Sequence, residues 1–173
     1  MKLGKYCYTD FVFSILDYFS ILNKKEFAFE WIPPIIAALA AYIFGKKYAT
    51  DDFLKTFLSL ITNVFAILVG FTIAAIAIFA SIDIEKNGIL NKKSDREIRG
   101  KEISYFRFVF INLVFSAVVG IIMLAAALFS FFMMQFIENA IVLSLIVFGT
   151  VFNLLAAIRN TTNLYFVLFK RVE

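Results

Sequence analysis

Polar side chains stranded in long apolar runs are where this chain could do chemistry. Asn63, Asn112 and Asn153 each lie inside a stretch without charge, with Ser116 beside the second and Asn160 just past the last. An amide facing hydrocarbon is costly, so each must face protein or water. Two arrangements satisfy that demand. Asn112 and Asn153 lie four and six residues inside the same end of their runs. They could hydrogen-bond between neighbouring helices, a contact worth about 1 kcal/mol or less in a membrane. Alternatively, the same amides could form a polar ring lining a pore between several subunits, with Arg159 and Asn160 at its mouth.

A second set is charged. Lys92, Lys93, Arg96, Arg99, Lys101 and Arg107 crowd residues 83–107, and Arg159 follows the last apolar run. This basic face could receive a cytosolic protein. Nucleic acid is not the expected partner, because the bases flank apolar helix ends and are not interleaved with an aromatic platform. Enzymatic chemistry finds little material. The chain has no histidine, one cysteine (Cys7) and no Gly-rich phosphate loop, and its apolar runs hold no paired carboxylates. The usual zinc, haem and Cys–His chemistries therefore have no ligands, and no cofactor or metal is implied. Glu30, a carboxylate near a membrane, is a functional candidate by default, but its position just before Pro33 and Pro34 favours a role accepting hydrogen bonds from a helix N-terminus, with Trp31 at the membrane interface.

The elements that must position these groups follow from hydropathy. Of 173 residues, 62% are hydrophobic, 23 of them Phe, and mean hydropathy is +0.87, so the solvent for the apolar surface must be lipid. Phe57 to Ile82 gives 26 consecutive uncharged residues and Phe108 to Ile137 gives 30. Each exceeds the ~20 that cross a bilayer as a helix. Expected spans are about 30–46, 57–82, 108–134 and 139–158. The 83–107 segment, with seven bases against five acids, is then a cytoplasmic hinge between the second and third spans. Both termini fall inside, which puts 14 of 17 basic residues in the cytoplasm and leaves Lys46, Lys47 and Lys55 outside. The fold expected is an all-α polytopic membrane domain over 1–173.

Local patterns refine this. Residues 9–22 form a short amphipathic helix, too short to span, that either lies in the headgroup region or packs on the bundle. The proline pair belongs in a first turn or at a kink. Thr50, Asp51 and Asp52 cap a second long helix running to about Glu85. Ser94 to Glu97 matches a capping box, so the third long helix should begin near Asp95 and run about 60 Å to Gln135. The second and third long helices would thus both extend into the cytoplasm. Small residues mark close helix packing, within the bundle or between subunits: Gly70, Ala74, Ala77 and Ser81 on one helix, Gly120 and Gly149 on the others.

With four hydrophobic helices and the stretch GFTIAAIAIFASID at 70–83 leading into a basic hinge, the chain resembles the small membrane proteins of bacterial anti-phage defence operons, such as the membrane subunit of Kiwa. The resemblance implies an oligomeric effector, or a sensor that works with a cytosolic partner. The expectation is a homo-oligomer in the bacterial inner membrane acting as a channel-like or membrane-disrupting effector, not an enzyme. The alternative is a membrane-anchored scaffold or sensor that docks a cytosolic protein.

Overall fold

The computed structural model describes residues 10–82 and 90–169. They form α1 (Asp10–Ile21), α2 (Lys24–Tyr48), α3 (Asp51–Ala80), a hairpin of β1 (Lys93–Ile98) and β2 (Lys101–Ser104), α4 (Tyr105–Met133) and α5 (Asn139–Phe169). Among the described residues, α2 to α5 are four helices long and apolar enough to cross a membrane. Their outer surfaces carry Phe29, Ile43, Phe71, Ile78, Phe132, Leu145 and Ile158, all exposed. Such continuous apolar surface needs lipid around it. The chain is a multi-pass membrane protein.

Capping sets where the helices start. α2 begins after Asn23, whose backbone N–H donates to the Glu26 carboxylate at 3.1 Å. It starts well before residue 30 and runs through Pro33 and Pro34, which lie inside the helix and not in its first turn. At α3, Thr50 Oγ1 accepts from the Phe53 N–H at 3.3 Å, and Asp51 and Asp52 sit at the positive end of the helix dipole. α3 ends at Ala80, short of Glu85, with Ser81 as its C-cap; residues 83–89 lie outside the described residues.

The capping-box expectation at Ser94 to Glu97 fails: these residues are strand, not helix. Arg99 and Gly100 both have positive φ, 53° and 74°, the backbone of a tight two-residue hairpin turn. Ser94 and Ile98 are buried and Arg96 is half-buried, a period of two that a strand satisfies and a helix does not. α4 therefore starts at Tyr105, capped by Ser104 Oγ, which accepts from the Arg107 N–H at 3.3 Å. Its 29 residues replace the 60 Å helix with one of about 44 Å.

Packing pairs the helices out of chain order. α2 lies along α5 and α3 along α4, while α4 also packs on α5, and α3 and α5 touch over a smaller area. The α2–α5 contact is tight at Gly45, where an added Cβ would stand 2.8 Å from the Ala140 Cα. At that end, Asn139 Nδ2 also donates to Asp51 Oδ1 at 2.6 Å. The opposite end holds α1 and the hairpin, which together form a cap. Tyr18, Ile21, Ile98, Ile103, Phe115 and Phe152 make one buried cluster there. α1 thus packs on the bundle, with Tyr18 stacked on Phe115 at 3.5 Å between ring centroids.

Candidate functional site

Three groups of polar residues are assembled by this fold. The first joins α1, α2 and α5. Tyr18 Oη–H donates to Glu30 Oε2, Arg159 Nη1 donates to Glu30 Oε1, and Arg159 Nη1 lies 3.2 Å from Tyr18 Oη. Glu30 is 5% exposed. It is the centre of a buried ionic junction, not the cap of a helix N-terminus, because α2 already began six residues earlier at Lys24. Arg159 Nε and Nη2 are buried without a partner among the described residues. Burial pushes the Tyr18 phenol well above its usual range; the Arg159 guanidinium pulls it partly back and Glu30 adds to the rise.

The second group sits under the hairpin. Arg96 Nη2 pairs with Glu26 Oε1 at 2.6 Å, and the guanidinium lies 5.7 Å from the Phe108 ring centroid. Beside this pair opens a cleft of about 320 Å³ whose walls include Glu26, Asp95, Arg96, Tyr105, Phe108 and Asn163. The expected basic face is partly neutralised. Lys93 pairs with Glu102 at 2.6 Å and Arg107 with Asp17 at 3.7 Å, while Arg159 is consumed in the junction. Lys92 and Lys101 remain exposed without an acidic partner among the described residues, and Arg99 lies over the Phe13 ring at 5.8 Å.

The third group is the interior seam of α3, α4 and α5. Asn112, Ser116, Asn153 and Asn160 are all buried. Asn160 Nδ2 donates to Ser116 Oγ at 2.7 Å, whereas Asn153 Nδ2 turns back to the Gly149 carbonyl of its own helix at 2.8 Å. Asn112 and Asn153 do not pair. The helix register sets Asn153 against Gly120, about 12 Å along α4 from Asn112 at the usual rise, and leaves Asn112 Nδ2 without a partner. A cavity of about 10 Å³ lined by Thr72, Ser116, Gly120 and Asn153 has room for one water. Gly120 and Gly149 meet Val69 and Met123, so both are packing positions inside the unit.

Asn63 stands apart. It is exposed on α3, on the same face as Gly70, Ala74, Ala77 and Ser81, all exposed as well. Nothing lies within 4 Å of a Cβ added at Gly70. The small-residue stripe is therefore open at Gly70 and exposed along its length, and close approach occurs instead at Gly45, Gly120 and Gly149.

The sequence offers Glu30 as a candidate but carries no site signal for Tyr18, Glu26, Gly45 or Asp95. One signal was available: Glu30 and Arg159 are opposite charges at the same-side edges of the first and last apolar runs. Compared with models of protein families, with characterised proteins and with solved structures, the chain matches none.

Proposed function

We propose that this protein is a bacterial inner-membrane scaffold or sensor with cytoplasmic termini, whose cap of α1 and the hairpin docks a cytosolic protein. The observation that carries the reading is the cap itself. It is a folded unit tied to the spans by Arg96–Glu26 and by the Tyr18–Glu30–Arg159 junction. Lys24, Lys25, Arg96, Arg99, Lys101, Arg107 and Arg159 belong to that end and Lys46, Lys47 and Lys55 to the other, the asymmetry that retains a segment in the cytoplasm. The outward apolar edge of α1, with Phe13, Leu16 and Phe19, then rests at the headgroup level. The interior amides support the same reading, since they are packed within one unit.

A homo-oligomeric, channel-like effector is the second reading, favoured by the outer face of α3. There Asn63 has no partner among the described residues and the small-residue stripe is open to a second copy. Photocrosslinkers at Arg99 and Lys101 should trap one defined cytosolic protein in cells, and replacing 94–103 with a Gly-Ser linker should abolish the adduct without preventing insertion. Liposomes carrying the wild type should stay tight to ions. Leakage that Asn63→Leu abolishes together with oligomer formation would overturn the docking reading in favour of the channel. A place in anti-phage defence rests on architectural likeness and is tested by plaque counts with and without the gene.

A further inference from the structure

The cleft beneath the hairpin is built from four separate elements: the start of α2 with Asn23 and Glu26, Ser94 to Arg96 of β1, Tyr105, Phe108 and Val109 of α4, and Asn163 and Phe166 of α5. Its volume of about 320 Å³ is at the bottom of the ~300–1,000 Å³ range of ligand pockets. That suits one side-chain-sized group better than a nucleotide.

Most donors around it are already spent; the exception is Asn163 Nδ2, buried without a partner among the described residues. Arg96 is held by Glu26 at 2.6 Å. The first N–H groups of α4 are taken: Tyr105 by the Lys92 carbonyl, Phe106 by the Leu90 carbonyl and Arg107 by Ser104 Oγ. Ser94 Oγ donates to the Ile103 carbonyl at 2.9 Å. An anion would therefore meet two carboxylates and few free donors. Asp95, in contrast, is exposed and has no ion pair or side-chain hydrogen bond among the described residues, and both it and Tyr105 line the cleft. The cleft also displays its own example of what such walls hold, since Arg96 sits between the Glu26 carboxylate and the Phe108 ring.

We propose that this cleft binds a guanidinium or primary ammonium group, received by the Asp95 carboxylate against the aromatic wall. Lys92, Lys101 and Arg99 do not line it, and their repulsion acts through water, where it is screened within roughly 10 Å. The group has two sources, a free small cation or an arginine side chain of the docked protein, and the second source rests on the docking reading above.

The test uses the full-length protein in nanodiscs, titrated with agmatine, with an acetyl-Gly-Arg-Gly amide peptide and with inorganic phosphate, and followed by saturation-transfer NMR. Saturable binding of agmatine or the peptide is expected, about fivefold weaker in Asp95→Asn and retained in Asp95→Glu. Binding of both cations marks a small-molecule site, and binding of the peptide alone marks a protein side chain. Equal affinity for Asp95→Asn, saturation by phosphate instead, or no saturable cation binding each overturns the proposal. The docking reading fails separately, if no hairpin-dependent adduct forms in cells.

Discussion

Neutralising Glu30 should be among the most damaging single changes in this protein. In Glu30→Gln the Arg159 guanidinium stays at a site where its side chain is only 17% exposed, having lost its carboxylate, and its Nε and Nη2 have no other partner among the described residues. Removing one member of a buried ion pair costs about 3–5 kcal/mol, because the remaining charge must be desolvated alone. Arg159 keeps some exposure, so a loss near the lower bound, about 3 kcal/mol, is expected. Replacing both charges, Glu30→Leu with Arg159→Met, should recover most of it, since apolar residues of similar size can substitute for a buried pair at little cost. α1 hangs on the same carboxylate through Tyr18, so Glu30→Gln should also raise protease cleavage within Asp10–Ile21. Unfolding free energies from steric trapping in bicelles, measured as a double-mutant cycle, read the coupling directly. A Glu30→Gln loss under about 1 kcal/mol, the value of an exposed pair, or additive effects in the double variant would refute the buried junction.

Further expectations concern packing, polarity and pH. Gly45→Ala should separate α2 from α5 and cost about 1–3 kcal/mol, since the new methyl meets backbone at Ala140. Gly70→Ala should leave the stability of the unit unchanged, and a change in cross-linked oligomer from that variant alone would assign the α3 face to a second copy. Asn112→Leu should stabilise by about 1 kcal/mol by removing a buried amide whose Nδ2 has no partner among the described residues; a loss of stability by denaturant titration would contradict that account of the seam. Tyr18 should give an alkaline slope. The folded state holds the phenolic proton more tightly than the unfolded chain, so this contribution is complete below about pH 10 and is lost as pH rises beyond it. Tyr18→Phe should remove that slope in unfolding measured between pH 9 and 12, which fall on either side of the ordinary phenol pKa of about 10.

Several elements were legible from local pattern. Thr50 with Asp51 and Asp52 read as a helix start and is one, and the uncharged runs at 57–82 and 108–137 each hold a long helix. The hinge was not. Ser94 to Glu97 satisfies a capping box by residue type, yet Gly100 follows within one turn and the alternation of Ser94, Arg96 and Ile98 has the period of a strand. A four-residue match was outweighed by the cross-strand contact with β2, which only the fold displays. Glu30 was misread for a related reason: the proline pair suggested a helix start, while Asn23 and Glu26 had already capped the helix further upstream.

By itself, the sequence determined the solvent of this protein, the number of long apolar helices and the end of the unit at which positive charge collects. Those properties are sums of side-chain transfer energies and charges along the chain, and they need no knowledge of neighbours. Only the tertiary structure decided which helix lies against which. α2 chose α5 across more than ninety residues, which brought Glu30 to Arg159 and Gly45 to Ala140. The helix register then paired Asn160 with Ser116 and left Asn112 alone. Such choices depend on van der Waals contact at a few ångströms between distant segments. A stripe of small residues permits that contact wherever it occurs, and at Gly70 to Ser81 this fold leaves the stripe facing outward.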